Sequence, residues 1–386
     1  MKICAADALA AILLFGVLTC WAPGYWPEAL VEISAFGMVA WWIIRRKIDT
    51  SGPAFYVITG LALWGPAQLA SGLTACRFQT AKAALYWGAN AATFFVARAI
   101  CNSQDSRNRF LRSLLWLGSI VSLFVVLEFF TSAGKVFWWF SSGQDRVFGP
   151  FLYKNACAAF VELLFPLAVY QSLLDDRDSL VYIGAAATMF AAVMTTASRA
   201  GGTLLAGELG VLVFLTSRRG IIAPDLLHRR LRWTAIFSVA LIGVVGWQTT
   251  VYKFAEPEPY RIRGELLRSS LSMAAERPMT GFGLGTWSTV YPAYARFDDG
   301  LAANHAHCDW VEWSAEGGVL FAALVVWLAA WSFKPSVNSL WGIGVPAVFM
   351  HSLVDYPLRE PALAAVLFAL TGALAARTSS SRICET

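Results

Sequence analysis

Long apolar runs constrain this chain more than any other feature. A helix needs about 20 apolar residues to cross the hydrocarbon core of a bilayer. Roughly twelve such runs are present, at 6–22, 29–44, 53–71, 82–100, 111–131, 153–174, 179–197, 201–216, 232–250, 308–333, 337–355 and 359–377. Only 14% of the residues are charged and 57% are hydrophobic, whereas a soluble domain carries about 25% charged residues. The expected fold is therefore an all-α polytopic membrane protein with about 12 transmembrane helices, read as one transmembrane domain over residues 1–386. The first run has no small-residue cleavage site after it and is read as a span.

Charge between the runs predicts an orientation. One set of alternate loops carries Arg45, Arg46 and Lys47, then Arg107, Arg109 and Arg112, then Arg218, Arg219, Arg229, Arg230 and Arg232, with Arg377 and Arg382 in the tail. The positive-inside rule places this set, and both termini, in the cytoplasm. The segment 251–306 is then a large periplasmic loop. The outer side still holds Arg77, Lys135, Arg146, Lys154, Arg199 and Arg359, and the loop adds Arg261, Arg263, Arg268, Arg277 and Arg296. These are either solvated loop charge or an anion site. The net charge of +5 calls for no nucleic-acid partner. The seven cysteines are scattered without paired spacing, which argues against a disulfide framework or a zinc site.

Four segments carry candidate chemistry. In "TTASRAGG", residues 195–202, Arg199 lies in a short turn among small residues that open a helix. Helix N-termini favour anions, and a guanidinium grips phosphate in a bidentate fork; an interfacial anchor is the plainer role. In "PYRIRGELLRSSLSMAAERPMTGFGLGTWSTVYPAYARF", residues 259–297, a short amphipathic helix is expected with Leu266, Leu267, Ser270 and Leu271 on one side. Gly281, Gly283 and Gly285 read as a flexible turn and only weakly as a nucleotide site. Trp287, Tyr291, Tyr294 and Phe297 are an interfacial belt or a platform for sugar rings. In "NHAHCDWVEWSAEGG", residues 304–318, a helix starting near Asn304 would put Asp309, Glu312 and Glu316 on one face. His305 and His307 would then lie in its first turn, pointing to nearly opposite sides. Two such histidines can resemble metal ligands, but an imidazole at a helix mouth better suits proton acceptance. In "HSLVDYPLREP", residues 351–361, His351 and Asp355 fall four apart and read as a hydrogen-bonded pair.

Taken in order, these segments resemble the O-antigen ligase and polymerase superfamily. "RVFGPFLYKNACAAFVELLFPLAVY" resembles its R-x-x-G-x-x-x-x-x-N span opening, and "TTASRAGG" its small-residue turn with arginine. "RGELLRSSLSMAAERPMTGFGLGTW" resembles its periplasmic loop, "HAHCDWVEWSAEGGVLF" its HAHNDYLQLLAELGILG signature, and "HSLVDYPLREPALAAVLFAL" its C-terminal signature. The resemblance covers residues 146–370. Cys308 stands where the family has asparagine, and Leu267 where it has tryptophan.

The resemblance implies a glycosyltransferase of the GT-C type in the bacterial inner (cytoplasmic) membrane, with its active site facing the periplasm. The implied donor is a glycan on undecaprenyl diphosphate. The implied acceptor is a hydroxyl of another glycan, of lipid A core or of a protein. Carried over, Arg199 and Arg263 hold the diphosphate and His307 serves the acceptor, with His305 as substitute or helper. Arg146, Asn155, Asp309, Glu316, His351 and Asp355 are read as supporting residues. The implied reaction is inverting and needs no metal or cofactor. The rival is a secondary transporter or flippase of lipid-linked sugars, since Glu128, Glu162 and Glu208 lie in or near spans and intramembrane acids mark function.

Overall fold

Apolar runs in lipid must satisfy their own backbone polar groups, and helices do so within one segment. A computed structural model bears out that outcome. It describes residues 4–45, 48–175, 177–245, 260–296 and 302–376. Arg46, Lys47, Phe297, Arg377, Arg382, the end of the ninth run (246–250) and the stretches 251–259 and 297–301 of the long loop lie outside them. Among the described residues the helices are α1 (Ala5–Thr19), α2 (Trp26–Ile44), α3 (Pro53–Ala70), α4 (Arg77–Cys101), α5 (Gln104–Thr131), α6 (Lys154–Leu174), α7 (Ser179–Thr196), α8 (Arg199–Arg218), α9 (Pro224–Val245), α10 (Tyr260–Glu276), α11 (Trp287–Val290), α12 (Asp309–Asn338), α13 (Gly344–His351) and α14 (Pro361–Ala375). A hairpin of β1 (Lys135–Val136) and β2 (Phe140–Ser141) follows α5.

Every predicted run overlaps a helix, and among the described residues six helices (α2, α5, α6, α7, α8 and α12) are long and apolar enough to cross a membrane. The chain is thus an all-α, multi-pass membrane protein. The run at 337–355 is not one long helix. It breaks into a 3-10 turn at Leu340–Gly342 and the 8-residue α13, where Gly344 meets the α6 backbone so closely that a Cβ would sit 2.4 Å from the carbonyl oxygen of Leu163. The apolar face of α2 points outward, with Ile33 65% and Ile44 77% exposed, as a lipid-facing helix requires.

The chain divides into two compact units. The first comprises Met1–Pro27, Ser103–Glu256 and Phe333–His351. Its centre is α6, whose Ala156, Ala158 and Ala159 are buried. Small residues let neighbouring helix backbones approach closely: a Cβ on Gly118 of α5 would lie 2.7 Å from Met189 of α7 and 2.9 Å from Leu164 of α6.

The second unit comprises Glu28–Asn102, Pro257–Ser332 and Ser352–Thr386. Here α4 packs on α14, and Gly372 abuts the carbonyl oxygen of Phe94. The glycine-rich loop after α10 is a rigid wedge and not a flexible turn. Phe282 N–H donates to the Ala315 carbonyl (3.0 Å), Gly283 N–H to Glu316 (2.9 Å), and Val319 N–H to Pro278 (2.7 Å). Backbone groups inserted into a helix ladder kink it, and α12 breaks at Gly318, φ 74°. Gly281 has φ 63° and would place a Cβ 2.2 Å from the Glu316 oxygen, so only glycine fits. Gln68 of α3 braces the wedge, donating to Thr280 and Glu316 carbonyls and accepting from Leu284 N–H.

Candidate functional site

The second unit gathers the chemistry around the start of α12. The helix begins at Asp309, not at Asn304. His307 takes a left-handed conformation, φ 52°, which keeps the segment before it out of the helix. Both imidazoles consequently flank one side chain, Tyr356, with ring centroids 4.5 Å (His305) and 4.9 Å (His307) away. The expectation that they diverge on a helix is thus overturned, because the segment is irregular there. Among the described residues no group of three metal-ligating side chains is arranged to hold a metal ion.

The two histidines have different supports. His305 Nδ1 lies 2.9 Å from Glu312 Oε1, while Glu312 Oε2 accepts from Ala306 N–H at 2.7 Å. An ionised carboxylate can only accept, so in the neutral imidazole Nδ1 carries the proton and Nε2 keeps its lone pair. His307 Nδ1 lies 3.5 Å from Asp355 Oδ1 without hydrogen-bond geometry. The other Asp355 oxygen is 3.3 Å from Arg263 Nη2, and Arg263 Nη1 donates to the Val354 carbonyl at 3.0 Å. Asp355 therefore stands between Arg263 and His307.

Asp309, Glu312 and Glu316 do share a face, as expected, and converge on a cation that sequence reasoning left among ordinary outer charges. Arg359 Nε is 3.4 Å from Asp309 and 3.3 Å from Glu312, and its Nη1 is 3.0 Å from Glu316. Burial opposes the charge on Arg359, but Glu312, Glu316 and Asp309 outweigh it and raise its pKa. Glu316 also accepts from Trp287 N–H at 3.0 Å. Asp309 and Glu316 thus hold the site's frame. The sequence signal for Arg359 was the acid triplet itself, since three buried carboxylates require a counter-charge.

Beside the histidines opens a pocket of about 790 Å³, lined by His305, His307, Tyr291, Arg296, Asn304 and Tyr356 among others. Tyr291 stacks on Trp287 at 4.5 Å. Trp287 is a core residue, whereas Tyr291 also faces the pocket. In α10 the buried face is Leu266, Ser269, Ser270 and Met273; Leu267 and Leu271 are exposed, because the helix docks one position round from the expected face. Burial pushes the Cys308 thiol up, which opposes any role as nucleophile.

The first unit holds the remaining candidates. Arg199 opens α8 behind the N-cap Ser198, whose Oγ accepts from Gly201 N–H. Gly201 is small because it packs against Ala158 and Glu162. Arg146 is exposed and lies over the Phe129 ring at 5.0 Å; Asn155 is buried and donates to the Tyr153 hydroxyl. His351 ends α13 and Asp355 lies beyond it, so the two do not share a helix face. The Nδ1 of His351 lies 3.0 Å from both oxygens of Glu162.

Fold and site define a multi-pass helical membrane protein with a carboxylate-supported histidine pair beside a pocket. Residues 184–328 match the family model described as O-Antigen ligase. That match supports a reading of glycan transfer in polysaccharide assembly. The match includes Arg199, Arg263, His305, His307, Asp309, Glu312 and Glu316; Arg146, Asn155, His351, Asp355 and Arg359 lie beyond it. No curated protein sequence matches the chain.

Proposed function

We propose that the protein moves a glycan from an undecaprenyl diphosphate carrier to an acceptor hydroxyl at the periplasmic face of the inner membrane, as an O-antigen ligase or polysaccharide polymerase. The carrying observation is the His305–Glu312 pair beside the pocket. His305 keeps 29% of its side chain exposed while Glu312 keeps 2%, so the imidazole is reachable and its support is buried. That is the geometry of a general base oriented by a carboxylate.

In this reading His305 Nε2 takes the proton of the acceptor hydroxyl. The hydroxyl oxygen forms a bond to the anomeric carbon as the bond from that carbon to the diphosphate oxygen breaks. The electron pair leaves on the diphosphate, where Arg263 offsets the developing charge. A single displacement inverts the anomeric carbon. His307, placed by Asp355, orients the acceptor; the sequence resemblance had put the base there, and the hydrogen bond to Glu312 favours His305. Arg199, within the first unit, offers an anion a helix N-terminus and a guanidinium. Diphosphate is already a good leaving group, so neither a metal nor a cofactor is required.

A transporter of lipid-linked sugars is the second reading, and the fully buried Glu162–His351 pair of the first unit favours it, since ionisable groups inside a bundle mark proton or ion paths. Incubating the purified protein with a lipid-linked glycan separates the two. Release of undecaprenyl diphosphate supports the transferase; movement across a vesicle membrane without bond cleavage supports the transporter.

A further inference from the structure

Between α5 and α6 the first unit has a groove of about 330 Å³ that the glycan-transfer reading does not use. Its α5 wall repeats at helical spacing: Arg107, Leu111 and Leu115, with Arg112 beside them. Its α6 wall does the same with Leu167, Tyr170 and Gln171. Residues three and four apart share one helix face, so each wall is a continuous strip. The groove mixes two chemistries. Where α5 begins and α6 finishes it is lined by Arg107, Tyr170, Gln171 and Leu174. One to two turns further along α5 it is lined by Leu111, Arg112, Leu115 and Leu167.

The charge is of one sign. Among the described residues no carboxylate lines the groove, although Asp105 belongs to the same turn of α5. Arg107 is half-buried and hydrogen-bonded to Gln104 Oε1, which fixes its guanidinium; Arg112 is exposed. Arg109, on the opposite side of the turn, is absent from the lining and pairs with Asp7 at 3.4 Å. Both α5 and α6 are long and apolar enough to cross a membrane. The groove therefore places two guanidinium groups on the first turns of such a helix, with leucines beside and beyond them.

We propose that this groove binds an anionic phospholipid, its phosphate headgroup on Arg107 and Arg112 and the root of an acyl chain along Leu111, Leu115 and Leu167. Guanidinium groups pair with phosphate oxygens, and basic pockets between membrane helices take anionic headgroups. A groove that carries both guanidinium groups and an aliphatic strip matches a lipid and not a free ion, which would leave the leucines unused.

The test uses the full-length protein in mixed micelles, with native mass spectrometry counting retained phosphatidylglycerol against phosphatidylcholine. The wild-type protein should retain phosphatidylglycerol preferentially. The double variant Arg107→Ala/Arg112→Ala should retain it about 30-fold less, from roughly fivefold per basic residue. Arg109→Ala, which removes one positive charge where the double variant removes two, should behave as wild type. Leu111→Trp fills the aliphatic strip without changing charge and should also lose the lipid; it decides the matter if the double arginine variant does not fold. Equal weakening by Arg109→Ala would mean a diffuse charge effect and would overturn the proposal. So would equal retention of phosphatidylcholine, or displacement of phosphatidylglycerol by millimolar inorganic phosphate, which would mark a free-phosphate site.

Discussion

His305 and Glu312 are seven residues apart, lie on either side of a helix start, and meet through a 2.9 Å contact between Nδ1 and Oε1. The same carboxylate accepts from Ala306 N–H, so one buried side chain fixes both the ring and the backbone that carries it. A histidine so held has its tautomer set before any substrate arrives.

From this it follows that His305→Ala should lower turnover by about 10²–10⁴-fold, the range of general-base catalysis, while donor binding persists. Glu312→Gln keeps an acceptor but loses the charge and should lower turnover less. The assay is undecaprenyl diphosphate release by purified protein. A fully active His305→Ala together with an inactive His307→Ala would move the base to His307.

Arg359→Met should destabilise the second unit by about 3–5 kcal/mol, the usual cost of removing one partner from a buried ionic cluster. Three carboxylates would lose their shared cation. Arg359→Lys should recover only part, since lysine cannot span them with a planar fork. Thermal unfolding followed by size exclusion reads both; an unchanged melting temperature for Arg359→Met would contradict the account.

Two glycine substitutions should act in opposite directions. Gly281→Ala meets a positive φ and the Glu316 carbonyl, and should cost about 1–3 kcal/mol from the dihedral alone. Gly264→Ala lies in α10 with nothing within 4 Å and should stabilise by about 0.5–1 kcal/mol. The same melting measurement compares them, and a stable Gly281→Ala protein would show that the loop is no wedge.

Arg199→Ala and Arg263→Ala should each remove most activity, with partial recovery by lysine. Arg268 is an internal control: it is exposed and paired with Glu265 at 2.7 Å. If Arg268→Ala were the inactive variant and Arg263→Ala normal, the assignment within α10 would be wrong.

Activity should also survive excess EDTA. In the proposed mechanism, guanidinium groups supply the positive charge that a magnesium ion would otherwise bring to the diphosphate. Loss of turnover on chelation, restored by one added metal, would bring His305 and His307 back as ligands.

Much of this was legible in the chain. Run length and polarity located the helices, because a lipid-crossing segment has few other solutions. The helix spacing of Asp309, Glu312 and Glu316 placed them on one face, and the small residues around Arg199 announced the start of α8. The failures were local in a different way. The buried face of α10 was misjudged because Leu266, Leu267, Ser270 and Leu271 make an apolar stripe as good as the one used. The glycine run looked loose because sequence shows a glycine's freedom and not the neighbour that requires it.

By itself the sequence determined the helical, membrane-embedded class and the family signatures, since both depend on residue type and spacing along one chain. Tertiary structure alone decided the partners: Glu162 for His351, Asp355 for Arg263, and Arg359 for three acids. Such pairs join residues tens to hundreds of positions apart. A buried charge takes the counter-charge that folding brings within reach, wherever that lies in the chain.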